Sequence, residues 1–449
     1  MTGRSRILDR IDAGRAAAAA GRIPGVRERR KILRRMLVLL VSHREAAYSV
    51  LADDLGRSRQ SAIVSEIIPL ISTIKYLIRK LPSLTAESRS RVAFINFPGR
   101  GYQVPEPFGQ VLIYGSWNYP LLSALEPVAG AYAAGNHVVL KLSGRAPKSA
   151  QFVRWLIEET FVGDEVVTVD REAGFTELLE YGFDKVFCTG DREEAVKIKR
   201  SCAESLTPSI CVAGGKSPAI VNEDAVLSVA ANRIVQSKFF NAGQSRTAPD
   251  LLLVHERVYD RFQSCLRSVV RETFGPEPLE NPDYARIIDS AAYERLSKLA
   301  KHGRLVCGGE KDPEKFKIAP TVIDMLSEDD ELFREEVFGP LLPVMLFSSE
   351  EDLVCKLKKF SRPPAVYCFS TDSSLIRRLI RDVPSGVLGI NDAAMQFFDQ
   401  RMPGKEAFSN FIRYKSVVKQ FAFLDLPWRS LPLKGIYNLI LEYWVKWSI

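Results

Sequence analysis

The chain has no closely spaced cysteine pair. Its seven cysteines, Cys188, Cys202, Cys211, Cys265, Cys307, Cys355 and Cys368, are scattered and odd in number. That excludes a zinc ribbon and a disulfide-stapled scaffold and agrees with a reducing cytoplasm. The four histidines, His43, His137, His255 and His302, stand far apart, so no metal centre is expected. No apolar run reaches the ~18 residues of a membrane-spanning helix, so none is predicted. No apolar stretch with a small-residue cleavage site marks a secretory leader, and a cytoplasmic location is expected. Internal repeats are absent, and the only low-complexity stretch is Ala16–Ala20.

What is present is ordinary for a globular protein: 449 residues, 46% hydrophobic and 26% charged. That is enough for two or three domains with large cores. The net charge is +8, and residues 1–35 hold 11 basic residues against 3 acids, which accounts for all of it. Aromatic residues do not interleave with this run. It reads as a solvated basic helical face, with an anionic membrane surface as the alternative and no nucleic acid as partner.

Apolar spacing predicts helices over 5–20, 27–53 and 58–80. Residues 92–104 read as two strands around a Pro-Gly-Arg-Gly turn. Strands at 109–115, 137–141, 165–169 and 185–189 alternate with helices, which implies a parallel sheet of βαβ units. A second α/β region starts near 217 and continues through LLLVHERV and LLPVMLF to GVLGIND at 386–392. Residues 393–413 read as loop. The tail from Lys434 to Ile449 places Ile436, Leu439, Ile440, Tyr443, Trp444 and Trp447 on one helical face. That face suits docking on the body or a partner subunit, or contact with a membrane surface.

Several separated segments then fall into one order. Trp117-Asn118-Tyr119-Pro120 follows a strand, Val139-Leu140-Lys141 ends the next, and Gly214-Gly215-Lys216-Ser217-Pro218 opens the second region. Asn241-Ala242-Gly243-Gln244 and Ala248-Pro249-Asp250 follow, then Glu335-Glu336-Val337-Phe338-Gly339-Pro340. In order and spacing the chain resembles the aldehyde dehydrogenase superfamily over residues 10–430. Tyr181-Gly-Phe-Asp and Leu424-Asp-Leu-Pro make it most similar to the class 3, fatty-aldehyde branch.

The resemblance implies an α/β, aldehyde dehydrogenase-like fold. It has a Rossmann-like NAD(P) domain (1–91 and 106–211), an oligomerisation hairpin (92–105), a catalytic-type α/β domain (212–410) and a C-terminal arm with its tail (411–449). It also implies a chemistry. A cysteine thiolate attacks the aldehyde, an amide and a backbone N–H hold the oxyanion, nicotinamide accepts hydride, and a glutamate activates water. Asn118 stands at the oxyanion position. At the nucleophile position stands Arg246, whose guanidinium stays protonated and cannot attack a carbonyl. At the base position stands Val212. Cys211 beside it is either a substitute nucleophile or a small packing residue. The family's glycine-rich pocket segment is replaced between Asp392 and Tyr414 by a shorter stretch with one glycine, Gly404.

On the cofactor side, Trp117, Lys141, Gly190, Glu336 and Phe338 match binding positions for NAD or NADP. After Gly190, however, Asp191, Glu193 and Glu194 confront the expected diphosphate, with Arg192 offsetting part of that charge. Arg246 would also repel oxidised nicotinamide by about 4 kcal/mol at ~4 Å and an effective dielectric near 20. The resemblance therefore implies weakened or lost cofactor binding and loss of cysteine-dependent oxidation. It leaves a homodimer, or a heterodimer with an active relative, as the expected assembly and an anionic ligand as a candidate at Arg246. The alternative is an oxidoreductase with a non-standard site.

Overall fold

In the computed structural model, residues 3–93, 96, 98–169, 175–360, 362–393, 404–423 and 435–447 are described. Helices α1 (Gly3–Ala19), α2 (Val26–Ser42) and α3 (Arg44–Leu55) open the chain. The single helix expected over 27–53 is divided at His43, because the Ser42 hydroxyl turns back to donate to the Val38 carbonyl at 2.6 Å. Such a back-bond competes with helix continuation, and the His43 ring leaves the axis to meet Trp155 at 4.5 Å.

Next come α4 (Arg59–Ala62), a π-turn at Ile63–Ile67 and α5 (Ile68–Leu84). Together, Arg59–Leu84 is long and apolar enough to cross a membrane by length and composition, unlike the sequence expectation. Its Leu70, Ile74, Leu77 and Leu81 nevertheless lie in the largest core cluster, with Leu33 and Met36 of α2. A buried ion pair also anchors its first turns, as described below.

Strand β1 (Ser88–Ser90) pairs antiparallel with β2 (Arg100–Pro107). Of the two strands expected within 92–104, the second is found in β2, whose far edge is taken by a strand from near the chain's end, and the first falls partly outside the described residues. Strands β3 (Gln110–Tyr114), β4 (His137–Lys141), β5 (Val166–Val169), β6 (Lys185–Gly190) and β7 (Ser209–Ala213) form a five-stranded parallel sheet in the order β5-β4-β3-β6-β7. Every residue of β3 is buried, as expected of a central parallel strand covered on both faces. Helix α6 (Pro120–Ala134) starts with proline in its first turn and stops at Gly135, in the left-handed region. This is the usual asymmetry of helix ends. Helices α7 (Pro147–Thr160), α8 (Phe175–Glu180) and α9 (Arg192–Glu204) follow.

The second sheet has seven strands. Strands β8 (Pro218–Val221) and β9 (Leu251–His255) flank α10 (Leu227–Phe239). β10 (Arg304–Cys307), the ribbon β11 (Lys311–Asp312) and β12 (Lys317–Ile318), and β13 (Thr321–Asp324) come next. β14 (Leu341–Phe347), β15 (Ala365–Phe369) and β16 (Val387–Ile390) complete the region. The order is β10-β13-β14-β9-β8-β15-β16, with only β10 antiparallel. Both sheets bear out the α/β expectation.

The stretch expected as loop at 393–413 has residues 394–403 outside the described set, but Lys405–Ser409 is a helix. It forms because Gly130 lets it lie against α6; a Cβ on Gly130 would meet the Ala407 carbonyl oxygen at 2.1 Å. Strand β17 (Ile412–Lys419) then pairs with β2. The Leu424-Asp-Leu-Pro segment lies outside the described residues. The tail helix spans Ile436–Lys446, and Ile436, Leu439, Tyr443, Trp444 and Trp447 are exposed. Exposure of those side chains corrects the expectation that this face docks on the chain's own body.

Candidate functional site

The segment carrying Arg246 leaves the end of α10 and enters β9. Its backbone is unusual: Asn241 and Ala242 hold φ of 52° and Gly243 holds 73°. Non-glycine residues at positive φ cost free energy and persist only where neighbours impose them. The neighbours are identifiable. A Cβ on Gly243 would meet the Gly339 carbonyl oxygen at 2.1 Å. The Gln244 amide donates to the Asn241 and Arg286 carbonyls at 3.0 and 2.9 Å, and its oxygen accepts from Ile288 N–H at 3.0 Å. The Tyr367 hydroxyl donates to the Thr247 carbonyl at 2.6 Å. The loop is therefore held from several elements at once.

Asn118 is brought to this loop, as the motif order implied. Its side-chain amide donates to the Gln244 carbonyl at 3.2 Å, and its oxygen accepts from Ser116 at 2.7 Å. Its own carbonyl accepts from the Asn241 amide at 3.1 Å and from Arg57. Asn118 thus faces the segment that carries Arg246. In this structure its amide N–H is engaged with backbone.

Sequence reasoning missed the group behind it. Arg57 donates to Asn241 Oδ1 at 2.9 Å and to Glu66 Oε1 at 2.7 Å, and stacks on Tyr119 at 4.4 Å. Glu66 Oε2 accepts the N–H groups of Leu121 and Leu122 at 2.8 and 2.9 Å, at the start of α6. Both charged side chains have 0% exposure. Burial works to raise the Glu66 carboxyl; Arg57 and the two N–H groups oppose it. Arginine and glutamate nine residues apart carry no recognisable sequence signal. A π-turn places Glu66, a feature frequent at functional sites.

A second charged group lies across the loop. Asp250 accepts from Lys216 at 2.7 Å and Lys238 at 3.4 Å, and from Val337 N–H at 3.1 Å. Glu336 lies beside it, with its carboxylate against Gly214; a Cβ there would sit 2.2 Å from both oxygens. Burial, and secondarily Asp250, pushes the Glu336 carboxyl up to about 8, despite an N–H from Gly215. Burial pulls the Lys238 ammonium down to about 8 against the attraction of Asp250. Asp250 belongs to the quoted Ala248-Pro249-Asp250 motif, but Lys238 was not singled out from the sequence, since a buried lysine looks like any other lysine in a helix.

Val212 is the last residue but one of β7, paired in register with Thr189, while Ala213 pairs with Gly190. Side chains alternate along a strand, so Val212 and Cys211 point to opposite faces. Cys211 packs with Cys188, Ile198 and Cys202 in the core cluster between the sheet and α9. Cys211 thus lies on the face opposite Val212, partly covered and packed against the cluster beneath α9, which corrects its reading as a substitute for the nucleophile of the Asn118 site. Cys368 is buried in another cluster, Cys265 and Cys307 pack against a third, and Cys355 is exposed. Among the described residues, none of these thiols belongs to the hydrogen-bond network of Asn118 and the Asn241–Asp250 loop. No group of three metal-ligating side chains occurs among them either.

The cofactor-type positions fall into two sets. Trp117 and Phe338 meet edge to face at 5.5 Å, and Arg145 stacks over Trp117 at 4.3 Å. With Glu336 nearby, this end suits a ribose and an aromatic ring. At the other end, carboxylates line the turn after Gly190. Asp191 caps α9 by accepting Glu194 N–H at 2.8 Å. A Cβ on Gly190 would meet Glu194 Oε2 at 2.6 Å, so a carboxylate occupies the space over that glycine. Burial lowers the Lys141 ammonium, and Glu194 opposes that shift. Gly404, at φ 89°, packs on Tyr76 and Thr73 of α5 rather than repeating a glycine-rich segment.

Comparison with known proteins agrees with this architecture. The family described as "Aldehyde dehydrogenase family" matches residues 3–404. The chain is 32% identical to the 4,4'-diaponeurosporen-aldehyde dehydrogenase of Staphylococcus aureus over 92% of this chain and 93% of that protein. It is 32% identical to aldehyde dehydrogenase family 3 member H1 of Arabidopsis thaliana, over 89% and 87%. A solved structure described as the substrate-bound state of Staphylococcus aureus AldH superposes with a TM-score of 0.93 at 30% identity, covering 99% of this chain and 100% of that one.

Proposed function

This chain belongs to the aldehyde dehydrogenase family, within its class 3 branch, and we propose that it acts there as a binding or assembly component that has lost cysteine-dependent oxidation. One observation carries the reading: Arg246 sits in the loop that Asn118, Asn241 and Gln244 hold. The frame of a nucleophile loop is kept, and its reactive atom is replaced by a permanent cation. Removing a nucleophile from an assembled site costs on the order of 10⁶ in rate. A planar guanidinium suits a carboxylate or phosphate, so the ligand of this site is an anion.

NAD or NADP is the cofactor expected of the family. The Trp117–Phe338 end favours retaining part of that site, and Glu194 over Gly190 disfavours the diphosphate, so the proposal includes weak binding. The arm formed by β1, β2 and β17 would serve a homodimer or a heterodimer with an active relative. The exposed tail helix would give a cytoplasmic protein peripheral contact with a membrane.

The test is twofold. Purified protein is assayed with NAD⁺ and NADP⁺ against medium- and long-chain aldehydes, and both nucleotides are titrated calorimetrically. No turnover is expected from the wild type. An Arg246→Cys, Val212→Glu double variant would regain some. Wild-type turnover at ordinary dehydrogenase rates overturns the reading. It would favour the alternative, an NAD(P)-dependent oxidoreductase with a non-standard site, in which the Glu336 carboxyl is the titratable group at hand. The relatives' names as dehydrogenases are the other support for that alternative.

A further inference from the structure

Cys188 and Cys211 lie outside the site described above, and the aldehyde chemistry uses neither. They are register partners on adjacent parallel strands β6 and β7. Partners of this kind point to the same face, about 4.8 Å apart between strands. That spacing lies inside the roughly 4.4–6.8 Å Cα separation of disulfides. Both thiols are free.

The geometry points to a peroxide-sensitive modification site at which Cys211 and Cys188 form an intrachain disulfide.

The two sulfurs differ in setting. Cys188 is 1% exposed, whereas Cys211 is only partly covered. Lys199 of α9 donates to the Ser209 carbonyl at 2.5 Å, which brings an ammonium to the start of the same strand. The neighbouring Cys188 thiol holds the Cys211 thiol below its ordinary value, with Lys199 adding to this and burial opposing it, while the Cys188 thiol is pushed up. A partly exposed thiolate beside a cation is the reactive type. Its neighbour is the resolving thiol.

The oxidant is hydrogen peroxide. The Cys211 thiolate attacks one peroxide oxygen, the O–O bond breaks, and hydroxide leaves and takes a proton as water. Cys211 is then a sulfenic acid. The Cys188 sulfur attacks that sulfur, the S–O bond breaks, and the leaving hydroxide departs as water with the Cys188 proton. Two thiols are oxidised by two electrons and one peroxide is reduced to two waters. The site lies beneath the candidate cofactor turn, for a Cβ on Gly190 would stand 3.6 Å from the Cys188 sulfur. The inference does not depend on whether dehydrogenase chemistry survives.

The experiment uses the full chain, treated with excess hydrogen peroxide under non-reducing conditions and mapped by proteolysis and mass spectrometry. A cross-linked peptide pair containing Cys188 and Cys211, with the loss of two hydrogens and reversal by dithiothreitol, is expected. Cys188→Ser should instead leave a sulfenic acid at Cys211 that dimedone traps. Before oxidation, Cys211 in the wild type should alkylate at least about tenfold faster than Cys188. A disulfide between Cys202 and Cys211, a bond only through the exposed Cys355, or all thiols intact at peroxide excess would each overturn the proposal. The wild-type map decides the matter even where a variant fails to fold.

Discussion

Two buried charged groups flank the Asn241–Asp250 loop, and they are built on opposite principles. Arg57 and Glu66 are closed: both have 0% exposure, and each is met by partners on the loop or on α6. The group of Lys216, Lys238, Asp250 and Glu336 packs its Glu336 carboxylate against Gly214, and two of its members are displaced from their usual ranges toward about 8. The first fixes geometry. The second holds protons loosely near neutral pH. The chain keeps both, on either side of the segment that carries Arg246, so positioning and proton exchange reside in different side chains.

The comparison breaks most decisively at the closed pair. Glu66→Ala or Arg57→Met alone should cost about 3–5 kcal/mol, because either leaves an uncompensated buried charge. Replacing both with apolar residues should cost less than the sum, and a double-mutant cycle from chemical unfolding checks this. Equal and additive losses would mean that the pair is not a unit.

The second group is sharpened by pH. Glu336 is raised from 4.5 to about 8, so the folded state holds a proton the unfolded chain has released, and stability should fall as pH rises across that window. Lys238 is lowered from 10.5 to about 8, so stability should rise from pH 8 to 10.5. Thermal melts over this range should show a minimum contribution near pH 8. Glu336→Gln should flatten the acidic limb and leave the alkaline one.

Gly214→Ala tests whether this packing matters. Its Cβ would overlap the Glu336 carboxylate at 2.2 Å, and overpacking of this kind costs roughly 1–3 kcal/mol. An unchanged unfolding midpoint would show that the carboxylate is free to move aside. The smallest effect is expected at the cofactor turn. Glu194→Gln removes a like charge facing the diphosphate position and should tighten NAD⁺ binding by up to about tenfold, or 1.4 kcal/mol, as read by calorimetry.

Much of this was legible in the chain. QVLIY, HVVLK and LLLVH are continuous apolar runs, and buried parallel strands must be such runs. Trp117, Asn118 and the Asn241–Asp250 motif announced which loops approach each other. The division at His43, the pairing of β2 with β17 and the Lys405–Ser409 helix were not legible. Each depends on a partner far along the sequence: Trp155, β17 and α6.

By itself, the sequence determined the alternation of strands and helices and the presence of arginine at position 246 and valine at position 212, because periodicity and residue identity are local properties. Only tertiary structure decided that Arg57 and Glu66 support Asn118, that Glu336 and Lys238 titrate near neutrality, and that Cys211 faces Cys188 instead of the cleft. Those properties come from burial and from strand register. A side chain's water, dielectric surroundings and partner are set by segments the local sequence does not contain.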